Sequence, residues 1–504
     1  MANALYDALF GRHAGSDAPF LHLSDGDALS YGAFLGMAAR FAHALTAAGL
    51  APGDRLAAQI EKSPDALALY AACVQAGMIF LPLNTAYTSD ELTYFIENSG
   101  ARLVVCDSAK RDEVGAIADR LGAATLTLDA DGTGTLADAA ADQPASFDTV
   151  PRSEDDLAAF LYTSGTTGRS KGAMLTHANL LSNAQALADI WRFTADDVLL
   201  HALPIFHTHG LFVATNVTLV AGGSMIFLPK FDLDAIIDRL PQATAMMGVP
   251  TFYTRLLADA RFTGDLAAHM RLFVSGSAPL LSETHAAFEA RTGHRILERY
   301  GMTETNMNTS NPYDGERRAG TVGFPLPEVE LKITDPASGE TLRQGEIGQI
   351  EVRGPNVFKG YWQMPEKTAA ELRKDGFFIT GDLGRIDEDG YVHIVGRNKD
   401  LIISGGYNIY PKEIEVLLDE QPGVLESAVV GVPHADFGET VLGLLVPEGD
   451  GPDLERIGAE IEKSLAGFKR PRKLLVIDEL PRNTMGKVQK AALRERYADL
   501  FAAV

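Results

Sequence analysis

Short, wholly apolar runs separated by helical stretches restrict most strongly how this chain folds. "ARLVVCD", "SMIFLP", "TAMMGVP" and "RLFVSGS" each read as a buried strand, and segments with helical punctuation lie between them. The clearest is "TSDELTYFIENSG", in which Thr88 and Glu91 have capping-box spacing and Gly100 closes the helix. Alternation of this kind gives layered α/β structure. From "GEIGQIEVRGPNVFKGYW" through "DGYVHIVGR" the pattern turns to β-rich alternation with glycine turns. Beyond the charged stretch Arg397 to Asp400 it becomes a compact α+β unit of about a hundred residues, large enough to fold alone. The expected organisation is a large α/β domain of several parts over residues 1–396, a hinge at 397–400 and a small α+β domain over 401–504. The Ala/Asp/Gly-rich stretch "LDADGTGTLADAAADQPAS" reads as a surface loop.

Composition narrows the function. The 504 residues carry 44 Lys and Arg against 67 Asp and Glu, a net charge of −23. A field of that sign repels nucleic acid, so an anionic substrate needs locally placed cations. Cys73 and Cys106 are the only cysteines, which leaves no disulfide framework or cysteine-rich metal site. No segment approaches the ~20 apolar residues that span a bilayer, and the N-terminus lacks a basic region followed by a long apolar run. A cytoplasmic enzyme without a membrane partner is expected.

"LYTSGTTGRSKGAML", residues 161–175, has the composition of a phosphate-binding loop. Its glycines let several backbone N–H groups converge on one anion, and its hydroxyls add donors. A P-loop needs lysine directly after the second glycine of the motif, whereas Arg169 and Ser170 intervene here between Gly168 and Lys171. The buried strand "LAAFLY" before the run and the hairpin or helix that begins at "KGAML" argue against a flexible linker.

Five separated motifs then occur in one order: "YTSGTTGRSKG", "ERYGMTETN", "FFITGDLGRID", "GRNKDLIISGGYNIYPKEIE" and "LPRNTMGKVQK". In these the chain resembles the ANL superfamily of adenylate-forming enzymes, over nearly its whole length. The resemblance implies a multi-part N-terminal α/β domain and a small mobile C-terminal lid, with ATP and CoA as co-substrates and Mg2+ as cofactor. It assigns Thr163, Ser164, Gly165, Thr166, Thr167, Gly168 and Lys171 to the β- and γ-phosphates, Thr303 to the α-phosphate and Glu304 to the metal. Tyr300 would lie along the adenine opposite Ser277, Ala278 and Pro279, with Glu298, Gly301 and Met302 completing the nucleotide site. Asp382 and Arg397 would hold the ribose, and Lys487 would bridge the acid and the α-phosphate. Lys399 would be the pivot that swings Gly405, Gly406 and Tyr407 to the CoA tunnel. Modification of Lys487 by acylation would neutralise the bridging charge.

Read without the family, several of these residues have plainer roles. Glu304 suits a helix cap, Tyr300 a core aromatic, Asp382 a turn, and Lys487 a solvated surface charge.

Within the superfamily, "LPIFHTHGLF", "MGVPTFYTRLL", "LFVSGSAPL" and "ERYGMTETNMNTSNPYDGERRAGTVG" are most similar to malonyl-CoA synthetases. That likeness implies conversion of malonate, with methylmalonate as a further candidate, ATP and CoA into the acyl-CoA, AMP and diphosphate. Arg255 and Arg299 would bind the distal carboxylate, with His207 and Ser277 in the acid pocket. Strand alternation sets Arg299 opposite Glu298 and Tyr300, and an arginine buried there needs an anion. His207 and His209 lack a third ligand and do not make a metal site. An acyl-CoA synthetase of other specificity and a standalone enzyme that loads a carrier protein remain alternatives.

Overall fold

The computed structural model describes residues 3–24, 26–163, 170–404, 407–434, 436–483 and 487–501. Two sheets of mainly parallel strands carry the first three hundred residues. In the six-stranded sheet the order is Ala124–Thr127, Leu103–Cys106, Arg55–Gln59, Ile79–Pro82, Leu157–Thr163, Lys171–Thr176. Its last pair runs antiparallel and the others parallel. The nine-stranded sheet has at its centre Leu297–Met302, Leu272–Ser275, Ala245–Gly248, Val198–His201 and Ser224–Phe227, all parallel. These central strands are buried along nearly their whole length, as continuous apolar runs must be when helices cover both faces.

Local signals act as the sequence suggests. Thr88 and Glu91 form a reciprocal capping box on the helix Ser89–Ser99, and Gly100 ends it at φ 61°. "LAAFLY" is the strand Leu157–Thr163. The stretch read as a surface loop departs from expectation: it contains the helix Thr135–Ala140, with Leu136 and Ala140 buried. Those two apolar residues lie four apart, on one helical face, and Leu136 packs into the main core.

An antiparallel four-stranded sheet follows, Glu330–Thr334, Gly348–Arg353, Phe378–Ile386 and Val392–Arg397. Asn398–Asp400 is a single 3-10 turn, and beyond it a five-stranded sheet begins at Ile402–Ser404. The long hairpin Val424–His434 and Gly438–Pro447 is its centre. Two separate apolar clusters cover the faces of this last sheet, one around Ile414, Val429 and Ile457, the other around Val430, Leu444 and Leu493. A fragment spanning residues 401–504 therefore has its own core on both sheet faces and is expected to melt cooperatively with dispersed NMR amide signals. Collapsed spectra without a melting transition would contradict this.

Candidate active site

Thr163 and Lys171 are opposite each other in the antiparallel pair. The Gly/Ser/Thr run therefore joins two strands, and Lys171 opens a strand, unlike the lysine of a P-loop helix. Ser164, Gly165, Thr166, Thr167 and Gly168 lie outside the described residues, as do Gly405 and Gly406. Residues 359–362 add to the free edge of the strand Lys171–Thr176, through Lys359 N–H to Met174 O at 2.9 Å and Trp362 N–H to Gly172 O at 2.8 Å. This brings Tyr361 onto Lys171, whose ammonium is 3.0 Å from the Tyr361 hydroxyl, 3.3 Å from Glu371 and over the Tyr361 ring.

The strands Leu297–Met302 and Asn306–Ser310 form a hairpin whose turn is Thr303–Thr305. Because no helix starts there, Glu304 is not a helix cap. Its carboxylate, 4% exposed, accepts from the Tyr361 hydroxyl at 3.0 Å and the Thr163 hydroxyl at 3.3 Å. The Glu304 carbonyl accepts from Phe358 N–H at 2.8 Å, which fixes the turn against the 359–362 segment. Tyr361 and Glu371 are members of the site that sequence reasoning missed. "KGYW" looks like an ordinary strand end, and only the sheet-edge pairing reveals the contact.

Asp382, 2% exposed, lies within the strand Phe378–Ile386 and not in a turn. It accepts from Tyr300 and pairs with Arg397 Nε at 2.7 Å, its cross-strand partner. The carboxylate of Glu298 turns the other way, to His285 Nδ1 at 3.6 Å and Gly320 N–H at 3.2 Å. Burial raises its pKa. Strand alternation thus sets the Glu298 side chain toward the helix Ser282–Thr292, on the side away from Arg299.

Arg299 is 4% exposed, and its Nε and Nη2 have no hydrogen-bond partner among the described residues. Burial lowers its pKa, yet an arginine stays charged near neutrality. Gly276 makes room for it, since a Cβ there would sit 2.3 Å from the guanidinium carbon. Ser277 follows in the left-handed region at φ 71°, a strained conformation of the kind concentrated at functional sites, and its hydroxyl is 3.2 Å from His209 Nδ1. Ala278 is half-buried and Pro279 exposed beside it. The backbone N–H of His209 donates to His207 Nδ1 at 3.4 Å. Burial, Lys487 and Arg299 push the His207 pKa down to about 3, so the ring is neutral and its hydrogen sits on Nε2.

Arg255 is not brought to this cluster. On the helix Pro250–Ala258 the period turns Phe252, Tyr253 and Leu256 inward, leaving Arg255 exposed with its guanidinium over the Phe231 ring at 5.3 Å. Lys399 is exposed on the turn Asn398–Asp400, and Tyr407, 57% exposed, stacks on Phe468 at 4.6 Å.

Lys487 enters from the last sheet's unit. Its N–H bonds Asn483 Oδ1 at 3.0 Å, and its ammonium feels Arg397, Asp382, Arg299 and Glu304 together. Burial first, then Arg397, push its pKa down to about 8. Lys487 is therefore no solvated surface charge. Thr303, Gly301 and Met302 lie half-buried around the hairpin turn. Among the described residues no group of three or more His, Cys, Asp or Glu side chains forms a metal cage, and no helix is long and apolar enough to cross a membrane.

These features belong to a two-part site for an activated carboxylate, and the comparisons agree. The family described as AMP-binding enzyme matches residues 11–362, and its C-terminal domain matches residues 413–487. The chain belongs to this family, within the ANL superfamily of adenylate-forming enzymes, and is an AMP-forming acid–thiol ligase. It is 38% identical over 477 residues to a feruloyl-CoA synthase of an Amycolatopsis species, covering 94% of each chain. To a malonate–CoA ligase of Arabidopsis thaliana it is 37% identical over 454 residues, covering 83% of this chain and 74% of the relative. The crystal structure of ATP-bound MatB from Rhodopseudomonas palustris superimposes with TM-score 0.97 at 59% identity, covering 99% of this chain and 100% of that one.

If the charged form of Lys487 is the working one, kcat/KM for the first half-reaction falls as pH rises through about 8, where the free enzyme loses that proton. A pyrophosphate-exchange profile flat to well above that value would contradict this.

Proposed function

We propose that the enzyme is an ATP-dependent malonyl-CoA synthetase that works in the cytoplasm. The observation that carries this reading is the buried Arg299 guanidinium, whose Nε and Nη2 have no partner among the described residues, beside His207, Ser277 and Lys487. A diacid supplies one carboxylate to react and a second to pair with Arg299. A feruloyl side chain has no anion for it, and burying a charge unpaired is costly. The malonate–CoA ligases of Arabidopsis thaliana and Bos taurus add support.

In the first half-reaction a malonate oxygen attacks the ATP α-phosphorus, the bond to the bridging oxygen of the β-phosphate breaks, and diphosphate leaves. Lys487 lies between the acid and the α-phosphate, lowering the repulsion between two anions, and Thr303 donates beside it. Neutral His207 donates through Nε2 to the reacting carboxylate without adding charge that would weaken its nucleophilicity. Tyr300 and the Ser277 to Pro279 segment, with Gly301 and Met302, enclose the adenine; Asp382 and Arg397 hold the ribose. Thr163 and Lys171, with the run between them, grip the β- and γ-phosphates.

Glu304 fits one Mg2+ ligand: it is a buried carboxylate bound, among the described residues, by the hydroxyls of Thr163 and Tyr361. Mg2+ takes one or two carboxylates together with phosphate oxygens, which suits the absence of a protein cage among the described residues. When bound, the ion supplies charge neutralisation to the phosphates.

In the second half-reaction the CoA sulfur, having lost its proton, attacks the acyl carbon and AMP leaves. Lys487 must withdraw for this, by rotation about Lys399 that carries Gly405, Gly406 and Tyr407 inward. Exposed Tyr407 and half-buried Lys487 suit an arrangement in which one occupies the site while the other waits outside. Acylation of Lys487 would block the first step only.

Pyrophosphate release should favour malonate over acetate by about 10⁴ in kcat/KM, the discrimination expected when a site built around a polar group meets an analogue lacking it. Arg299→Met should remove most of that preference. Ferulate used as well as malonate would establish the aromatic-acid alternative. Lys487→Ala should lower adenylation about a hundredfold or more yet spare thioester formation from supplied malonyl-AMP; equal loss of both would reject the division of labour.

A further inference from the structure

One buried cation beneath the acid pocket has no part in the steps above. Lys62 lies between the strand Arg55–Gln59 and the helix Pro64–Gln75, and it is 8% exposed. Its amine is 2.9 Å from His201 Nδ1 and 2.8 Å from the His201 carbonyl, and it stands over the Phe227 ring at 4.2 Å. No ion pair to it occurs among the described residues, and burial alone lowers its pKa.

The direction of the hydrogen bonds follows from their ends. His201 Nε2 is 2.9 Å from the Gly210 carbonyl, which can only accept, so Nε2 carries the hydrogen. Burial and the nearby Lys62 hold His201 neutral, so Nδ1 is bare and accepts from Lys62. The Thr215 hydroxyl donates to the same Gly210 carbonyl at 2.9 Å.

Gly210 lies in the first turn of the π-helix His209–Thr215, packed so closely that a Cβ there would be 2.0 Å from the Pro204 carbonyl oxygen. His209 opens this helix and His207 lies two residues before it, the two linked to each other and, through His209, to Ser277. A buried amine without an acid partner is a poor choice for packing alone, where methionine would serve without the desolvation cost.

We propose that Lys62, acting through His201, is a positioning residue for acid binding, fixing Gly210 at the start of the π-helix so that His207, just before it, presents its Nε2–H to the substrate carboxylate. This rests on His207 being an acid-binding group. Both are tested by steady-state pyrophosphate release with malonate and ATP varied separately, for Lys62→Met, His207→Ala and the double variant.

Lys62→Met is expected to raise KM for malonate about tenfold while KM for ATP changes less than about twofold, and to add little in the His207→Ala background. An unchanged malonate KM, a matching rise for ATP, or full additivity overturns the inference. If His207→Ala leaves malonate KM unchanged, the acid-binding reading of His207 falls and this inference with it. If His207→Ala raises it and Lys62→Met does not, only the role of Lys62 falls. Should Lys62→Met not fold, Thr215→Val, which removes the second donor to Gly210, is expected to raise malonate KM about threefold with the same dependence on His207; no change would overturn the proposal.

Discussion

The site is organised by the repulsion among cations gathered from distant parts of the chain. Lys487, Arg299 and Arg397 share one field that Asp382 and Glu304 offset in part, and burial first, then that field, lowers the pKa of Lys487. The overall charge of −23 would repel ATP and a dicarboxylate from almost any other surface.

The surrounding structure serves that concentration. Antiparallel register sets Thr163 against Lys171 and Asp382 against Arg397. Sheet-edge pairing brings Tyr361 between Lys171 and Glu304, so the start of the strand Lys171–Thr176 and the hairpin turn are held by one hydroxyl. Rigid strands thus place most of the charges, whereas Lys487 comes from a unit with its own cores, joined through a single turn at Asn398–Asp400. The proposed withdrawal of Lys487 for the second half-reaction draws on that mechanical difference.

Much of this was legible in the sequence. The capping box at Thr88 and the buried strands follow from local chemistry, and the five ordered motifs bring Glu304, Asp382, Arg397 and Lys487 into view. The contacts missed are long-range. Tyr361 meets Lys171 across 190 residues and Lys62 meets His201 across 139, with no local pattern announcing either. Helix rotation is likewise silent in the motif around Arg255, where Phe252, Tyr253 and Leu256 take the inward face and Arg255 the outer one. The Ala/Asp-rich stretch hid a helix because two apolar residues suffice to anchor so short an element.

Lys487 is buried in a field of cations that bound anions are expected to offset. NMR titration of the protein with 13C-labelled lysine, resolved at Lys487 by comparison with Lys487→Arg, reads burial and that field together in the free protein, and the field's share from the change on binding. The account gives a pKa near about 8 in the free protein, rising toward the ordinary 10.5 when ATP or the acyl-adenylate binds. A free-protein value at 10.5, unmoved by nucleotide, would contradict it.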